Sequence, residues 1–225
     1  SGWGMRILNE RMKMTRLSDY RISRQQFINV DFAFTRNPAE TASSFAGFVD
    51  YSLGYHYHFQ PQPALKLLAG ASVRALGGFI YNTRNGNNPA SAKVETDLNL
   101  SAMAIYKFQV NNYPFALRYQ IEIPVAGVMF SPHYGQSYYE IFNLGNSEGV
   151  VLFSSLHNKF AMRNFLTADF PVGNFTIRAG YLNTFTKTDV NGIQSHVVSN
   201  SFLIGFVKEF IAFGGKRLKQ TKRYN

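Results

Sequence analysis

The stretch VETDLNLSAMAIYKFQV, residues 94–110, alternates with a period of two over 17 residues. Val94, Thr96, Leu98, Leu100, Ala102, Ala104, Tyr106, Phe108 and Val110 share one parity. Glu95, Asp97, Asn99, Ser101, Lys107 and Gln109 share the other. A helix would scatter these charges around its circumference, whereas a strand sorts them onto opposite faces. Strands in soluble domains typically run to about five or six residues, so this one is long.

The pattern recurs along the chain. In FALRYQIEIPV, Phe115, Leu117, Tyr119, Ile121, Ile123 and Val125 oppose Arg118, Gln120 and Glu122. In ALKLLAGASVRA, Leu65, Leu67, Ala69, Ala71 and Val73 oppose Lys66, Ser72 and Arg74. In SFAGFVDYSLGYHYHF, Val49, Tyr51, Leu53, Tyr55, Tyr57 and Phe59 oppose Asp50, Ser52, His56 and His58. NFTIRAGYLNTF sets Phe175, Ile177, Ala179 and Tyr181 against Thr176, Arg178 and Gly180. KFAMRNFLTADF and SFLIGFVKEF behave alike.

The connections fall into two sets. QPQP, NNYP and PVGN are short; TRNPAETA, TRNGNNPASA, SPHYGQSYYEIFNLGNSEG and TKTDVNGIQ are long and polar. Short turns at one end and long loops at the other are the pattern of an outer-membrane barrel, with its short turns in the periplasm. Aromatics gather near strand ends, as an interfacial girdle requires, and the last strand is expected to end at Phe213. No run of about 18 apolar residues exists to form a membrane-spanning helix. Charged and aromatic residues each make up 16% of the chain, aromatic-rich and charge-poor for a soluble domain, yet mean hydropathy is slightly negative. A barrel that is apolar outside and polar inside has that balance. A soluble lipocalin-like barrel would share the alternation, but large aromatics at strand ends, small or aliphatic residues mid-strand and unequal loop lengths favour the membrane.

Nine strands can be counted, near 3–15, 21–35, 43–59, 64–81, 94–110, 114–130, 158–171, 174–187 and 196–212. Bacterial barrels have even numbers. Either an upward strand precedes Ser1, or the segment GVVLFSSLH near 149–157 adds a pairing. The expected fold is an all-β, antiparallel transmembrane barrel of about ten strands, within a range of about eight to twelve. It would occupy residues 1–213, followed by a basic periplasmic tail over 214–225. The chain carries no export signal, so the signal is expected to have been removed. Cysteine is absent, which excludes disulfides and thiolate metal sites.

About ten strands leave a narrow lumen, whereas a water-filled pore needs about 16. Lys66, Arg74, Lys107, Arg118, Arg163 and Arg178 would face Asp50, Glu95, Asp97, Glu122, Asp169 and Glu209 inside it. Each buried charge needs a partner, so the lumen reads as an ion-paired plug. His56 and His58 fall on the same inward face, but no local carboxylate or cysteine completes a metal site, and no metal or cofactor is expected. The net charge of +10 gathers toward the two ends rather than on one stripe, which suits anionic lipid head groups as well as nucleic acid; in a membrane barrel the expected partner is lipid, with no nucleic acid.

One loop segment, FSPHYGQSYYEIFNLGN, holds His133, Ser137 and Glu140 among Phe130, Tyr134, Tyr138, Tyr139 and Phe142. Two readings compete. In the first, Ser137 is a nucleophile, His133 its base and Glu140 the orienter of a lipid hydrolase. In the second, these eight residues form an aromatic docking surface for a partner. A narrow, specific channel is a third reading of the whole chain. Barrel lipid hydrolases hold their triads on strand faces, so a triad confined to one loop favours docking.

The phrases FSPHYGQSYYEIF, YNTRNGNNPASAK and TRNPA resemble a functionally unassigned family of small outer-membrane β-barrels of the Bacteroidetes. The likeness runs from the SGWG start to the last strand. Members of that family begin earlier, with a segment before a YSGW-like start, in line with a strand preceding Ser1. The resemblance transfers no catalytic residues. It implies a scaffold or accessory role in a large outer-membrane complex, alongside other barrels, surface lipoproteins or the barrel-insertion machine, with outer-membrane lipid around it.

Overall fold

A computed structural model describes residues 2–37, 39–84, 89–173 and 175–208. Ten antiparallel strands form one sheet, rolled into a nearly closed barrel: β1 (Gly2–Met14), β2 (Ile22–Arg36), β3 (Ser43–Gln62), β4 (Leu65–Asn82), β5 (Ala90–Val110), β6 (Tyr113–Phe130), β7 (Val151–Ser155), β8 (Lys159–Val172), β9 (Phe175–Val190) and β10 (Ile193–Val207). Of the two routes to an even number, the internal one is present. β7 pairs with the upper part of β6, Val151 opposite Phe130, while β8 pairs with its lower part, Arg163 opposite Glu122. β7 and β8 therefore share one position in the wall, broken at 156–158. Among the described residues the wall has nine positions, and β1 and β10 run the same way.

Alternation places the side chains as the sequence requires. Asp97, Asn99, Ser101 and Met103 are buried inside the barrel, while Val94, Leu98 and Leu100 are exposed outside. One departure lies in β6. Asn99 pairs with Pro124 and Leu98 with Ala126, so Val125 has no partner there. This bulge at a proline reverses the alternation. Val125 therefore does not continue the outward row of Ile121 and Ile123; Val128 faces out and Met129 is buried.

The outer face carries two sets of stacked rings. Near the loop end, Trp3 lies 5.0 Å from Phe34, Phe34 4.9 Å from Phe45, and Phe45 5.6 Å from Phe79. Near the turn end, Phe108 lies 5.5 Å from Phe115, and Phe115 5.5 Å from Phe170. The connections are less regular than the sequence suggests. TKTDVNGIQ is not a long loop: β9 and β10 continue through it to a two-residue turn at Asn191 and Gly192, with φ of 52° and 72°. Those positive angles fit a type I′ hairpin, for which Asn-Gly is the preferred pair. At the opposite end the β1–β2 connection is long, with Ser18, Asp19 and Tyr20 all at positive φ. Glu209, Phe213 and the 214–225 tail lie outside the described residues.

Candidate functional site

Two polar centres were candidates, the lumen and the outer loop. The lumen is built around Glu10 on β1. Its carboxylate accepts from Arg118 Nη1 and Nη2 at 2.6 and 2.7 Å, from Arg178 Nη1 at 2.8 Å and from Gln25 Nε2 at 2.7 Å. Arg178 also donates twice to Asp169, at 2.6 and 2.7 Å. Gln25 and Gln120 donate to each other at 2.9 Å, and Gln120 reaches Ser101 at 3.1 Å. Higher in the barrel, Lys159 Nζ donates to Glu95 at 2.9 Å and to both Asp97 oxygens at 2.8 Å. Arg74 lies between Asp50 and Glu95, Arg163 faces Glu122, and Arg6 pairs with Asp31. These ion pairs join six cations to seven carboxylates. The lumen is therefore nearly neutral, and the excess of +10 lies elsewhere.

An apolar layer seals the same space. Phe27, Phe165 and Leu182 are buried together, with Leu8 and Leu203 packed against them. Arg163 sits 4.6 Å from the Phe27 ring centre and Arg118 5.2 Å from that of Phe165. Such contacts suit guanidinium groups that have lost water. His56 and His58, which share the inward face, do not converge: His56 Nε2 meets Ser101 Oγ at 2.9 Å and His58 Nε2 meets Ser23 Oγ at 2.8 Å. Sequence reasoning placed Lys66, Arg74, Lys107, Arg118, Arg163 and Arg178 in the lumen, with Asp50, Glu95, Asp97, Glu122 and Asp169; the four arginines and five carboxylates are paired there, whereas Lys66 is half-buried and Lys107 exposed at the turn end. It missed Glu10, the hub, because the basic run RILNERMKM reads as a charged end. The period of two that puts Arg6, Leu8 and Glu10 on one face was the available signal.

In the outer loop, Ser137 and Glu140 bond to each other, and the His133 ring bonds elsewhere. Ser137 caps a single helical turn, α1 (Tyr138–Phe142). Its Oγ accepts from the Glu140 backbone N–H at 3.2 Å and donates to Glu140 Oε2 at 2.9 Å, while the Ser137 backbone N–H donates to the same oxygen at 2.7 Å. This is a capping box, which satisfies otherwise orphaned N–H groups at a helix start. The bonds from Ser137, its backbone N–H first, hold the Glu140 carboxyl below the usual carboxylate range. The His133 ring contacts the Glu148 carbonyl at 3.3 Å, and its backbone N–H donates to Gln136. A serine nucleophile needs a base within hydrogen-bond reach; here its hydroxyl is engaged by Glu140.

The aromatic members divide into anchors and presented groups. Phe130, Tyr138 and Phe142 form a triangle of near-parallel rings, with centres 6.4, 6.4 and 6.2 Å apart, and the Tyr138 hydroxyl accepts the Ala92 N–H. Ile141 and Val150 are buried beneath the loop. Asn191 Nδ2 donates to the Ser131 and Gly149 carbonyls, tying the loop to the β9–β10 hairpin. A cleft of about 700 Å³ lies under α1, between Phe79, Val94, Val128 and Phe142. Tyr134, Tyr139 and Phe142 project outward, the first 86% exposed, together with Leu144, which sequence reasoning did not single out. The loop is a braced platform that offers rigid apolar area.

A family model described as "Protein of unknown function (DUF3316)" matches residues 1–217. No curated protein and no solved structure matches the chain.

Proposed function

We propose that this chain, which belongs to that family of unknown function, is an integral outer-membrane β-barrel of the Bacteroidetes type. In this reading it is a non-enzymatic scaffold or accessory subunit of a larger outer-membrane complex, beside other barrels and surface lipoproteins. The observation that carries the reading is the inverted distribution of side chains: ion pairs inside, apolar and aromatic groups outside. On β8 the outward rings Phe160 and Phe170 stand ten residues apart. At about 3.3 Å per residue and a tilt of about 40°, this spacing gives a band of about 25 Å, the height of an outer-membrane apolar belt. A plugged lumen supports a structural role over transport, and the braced aromatic loop supports contact with a partner over chemistry.

The test exploits the absence of cysteine. Single substitutions Ala39→Cys and Leu144→Cys should react with an impermeant thiol reagent on intact cells, and Gln62→Cys and Arg16→Cys should not. Equal reactivity at both ends would end the membrane reading. Purification in mild detergent should recover the chain with outer-membrane partners, and Tyr139→Ala should weaken that recovery.

A further inference from the structure

Along β3 to β8 no outward position carries a charge. The outward row of the β1–β2 hairpin starts in the same way at the loop end, with Trp3 opposite Phe34, Met5 opposite Phe32 and Ile7 opposite Val30. Below Asn9 and Ile28 it changes. Arg11 stands opposite Gln26, and Lys13 directly opposite Arg24. All three cations face out, because Ser23, Gln25 and Phe27, which alternate with Arg24 and Gln26, are buried inside the barrel. Like charges directly opposite each other on neighbouring strands repel. The arginines of the lumen each have a carboxylate. Among the described residues no ion pair reaches Arg11, Lys13 or Arg24; Arg24 Nη2 donates to Gln26 Oε1 at 3.4 Å.

The connection at 15–21 adds to the excess. Residues 11–24 hold five cations, Arg16 and Arg21 included, against one carboxylate, Asp19. The register fixes the depth of the cluster. Arg24 is paired with Tyr55 of β3 and Ile22 with Tyr57, and Arg21 Nη1 donates to the Tyr57 hydroxyl at 3.3 Å. The cations therefore stand beside the turn-end aromatics of β3, at the level where head groups meet tails. A cation on the lipid face is costly at mid-membrane and nearly free at that interface. Guanidinium forks match phosphate oxygens in pairs, and an ammonium adds a point charge. The Lys13–Arg24 pair is built within the β1–β2 hairpin, whatever flanks β1 on its other side.

We propose that Arg11, Lys13 and Arg24 bind the phosphate of an anionic phospholipid in the leaflet at the turn end. The phosphate supplies the negative charge that the facing Lys13 and Arg24 lack, and the acyl tails lie along the outward side chains above, Ile28 and Tyr51. Arg16 and Arg21 extend the positive field on the water side. The site rests on the membrane reading above and names a class of lipid that the barrel holds at one place on its wall.

The full chain, placed in phosphatidylcholine bilayers with a trace of spin-labelled lipid, tests this. Lipid held at the wall gives a motionally restricted spectrum. The unmodified protein should restrict labelled phosphatidylglycerol in preference to labelled phosphatidylcholine. Lys13→Gln and Arg24→Gln should each lower that preference about fivefold, the effect of one cation at a charged lipid surface. Arg24→Lys should retain most of it, and Arg84→Gln, at the loop end, should leave it unchanged. Heat-resistant migration of each variant checks that the barrel is intact. Equal restriction of the two lipids by the unmodified protein, or a preference that survives both glutamine variants, would overturn the inference and leave the membrane reading standing. Displacement of the labelled phosphatidylglycerol by inorganic phosphate would give the site to a free anion and overturn it too. So would a photoreactive phenylalanine at Ile22 that captures polypeptide rather than lipid in native membranes. Absence of a restricted spectrum for either lipid would remove the membrane reading as well.

Discussion

Two carboxylates, Glu10 and Glu140, each accept several hydrogen bonds, but from partners at very different distances along the chain. Glu140 takes its bonds from Ser137, three residues away. Glu10 takes its bonds from residues 15, 108 and 168 positions distant. The first arrangement organises one helical turn and nothing beyond it. The second ties β1 to β2, β6 and β9 and fills the barrel. The density of polar residue types in a short segment is thus a poor guide to which carboxylate matters. What separates the two is whether removing one leaves charges stranded out of water.

That contrast can be broken in several ways. Glu10→Ala strands Arg118 inside the barrel and leaves Arg178 with Asp169 alone. Breaking a buried pair from one side typically costs about 3–5 kcal/mol, so the folded barrel's denaturation midpoint in detergent should fall steeply, or folding should fail. An unchanged midpoint would show that water enters and compensates the arginines. Lys159→Met should come next. It leaves Asp97 and Glu95 facing each other without their cation, at a cost near the lower end of that range, about 3 kcal/mol. Its midpoint should fall less than that of Glu10→Ala, because Arg74 remains nearby to share Glu95.

At the loop the effects shrink. Ser137→Ala should leave the barrel midpoint unchanged and speed amide exchange at Glu140 about fivefold, the scale of a lost helix cap. A change in the global midpoint would mean that the loop supports the wall after all. The smallest effect is that of pH. Glu140 has a lowered pKa in the fold, so its contribution is fully present above the ordinary carboxylate range. It is lost only as pH falls through the lowered value. The protection of amides within α1, taken relative to intrinsic exchange at each pH, should therefore stay flat from neutral pH into the ordinary carboxylate range and fall only below it. Loss of protection already near neutrality would argue against the capping box.

The strands were legible because alternation is a local signal, repeated in nearly every segment. Residues 94–110 show it over their whole length, and β5 ends at Val110 as expected. The failures have local causes too. The bulge at Val125 is invisible to parity counting, since it appears only as a proline inside a good strand. Asn191-Gly192 was the one short signal that should have turned TKTDVNGIQ from a loop into a hairpin. The lumen was legible as a class of residues but not as a set of pairs. Nothing local to Glu10 names Arg118 or Arg178 as its partners, and only the closing of the sheet brings them together. The loop's Ser137 and Glu140 were legible as a pair, but their spacing of three is also that of a capping box, and this was the cheaper reading.

The reach of Glu10 also sets an order of events. Its bonds to Arg118 and Arg178 cannot form until β6 and β9 exist, and contacts of such long sequence separation are slow to form, because loop-closure entropy opposes them before they offer any return. Until β9 arrives, the interior holds half-compensated charges that favour water over a closed barrel. Folding should then be late and cooperative, with a single slow phase in which the ion pairs and the Phe27 layer appear together. A chain interrupted before β9 should remain open and accessible to protease over β1 to β6 alike. In a cell such a chain would keep its first strands available to assembly factors until the last hairpin is delivered.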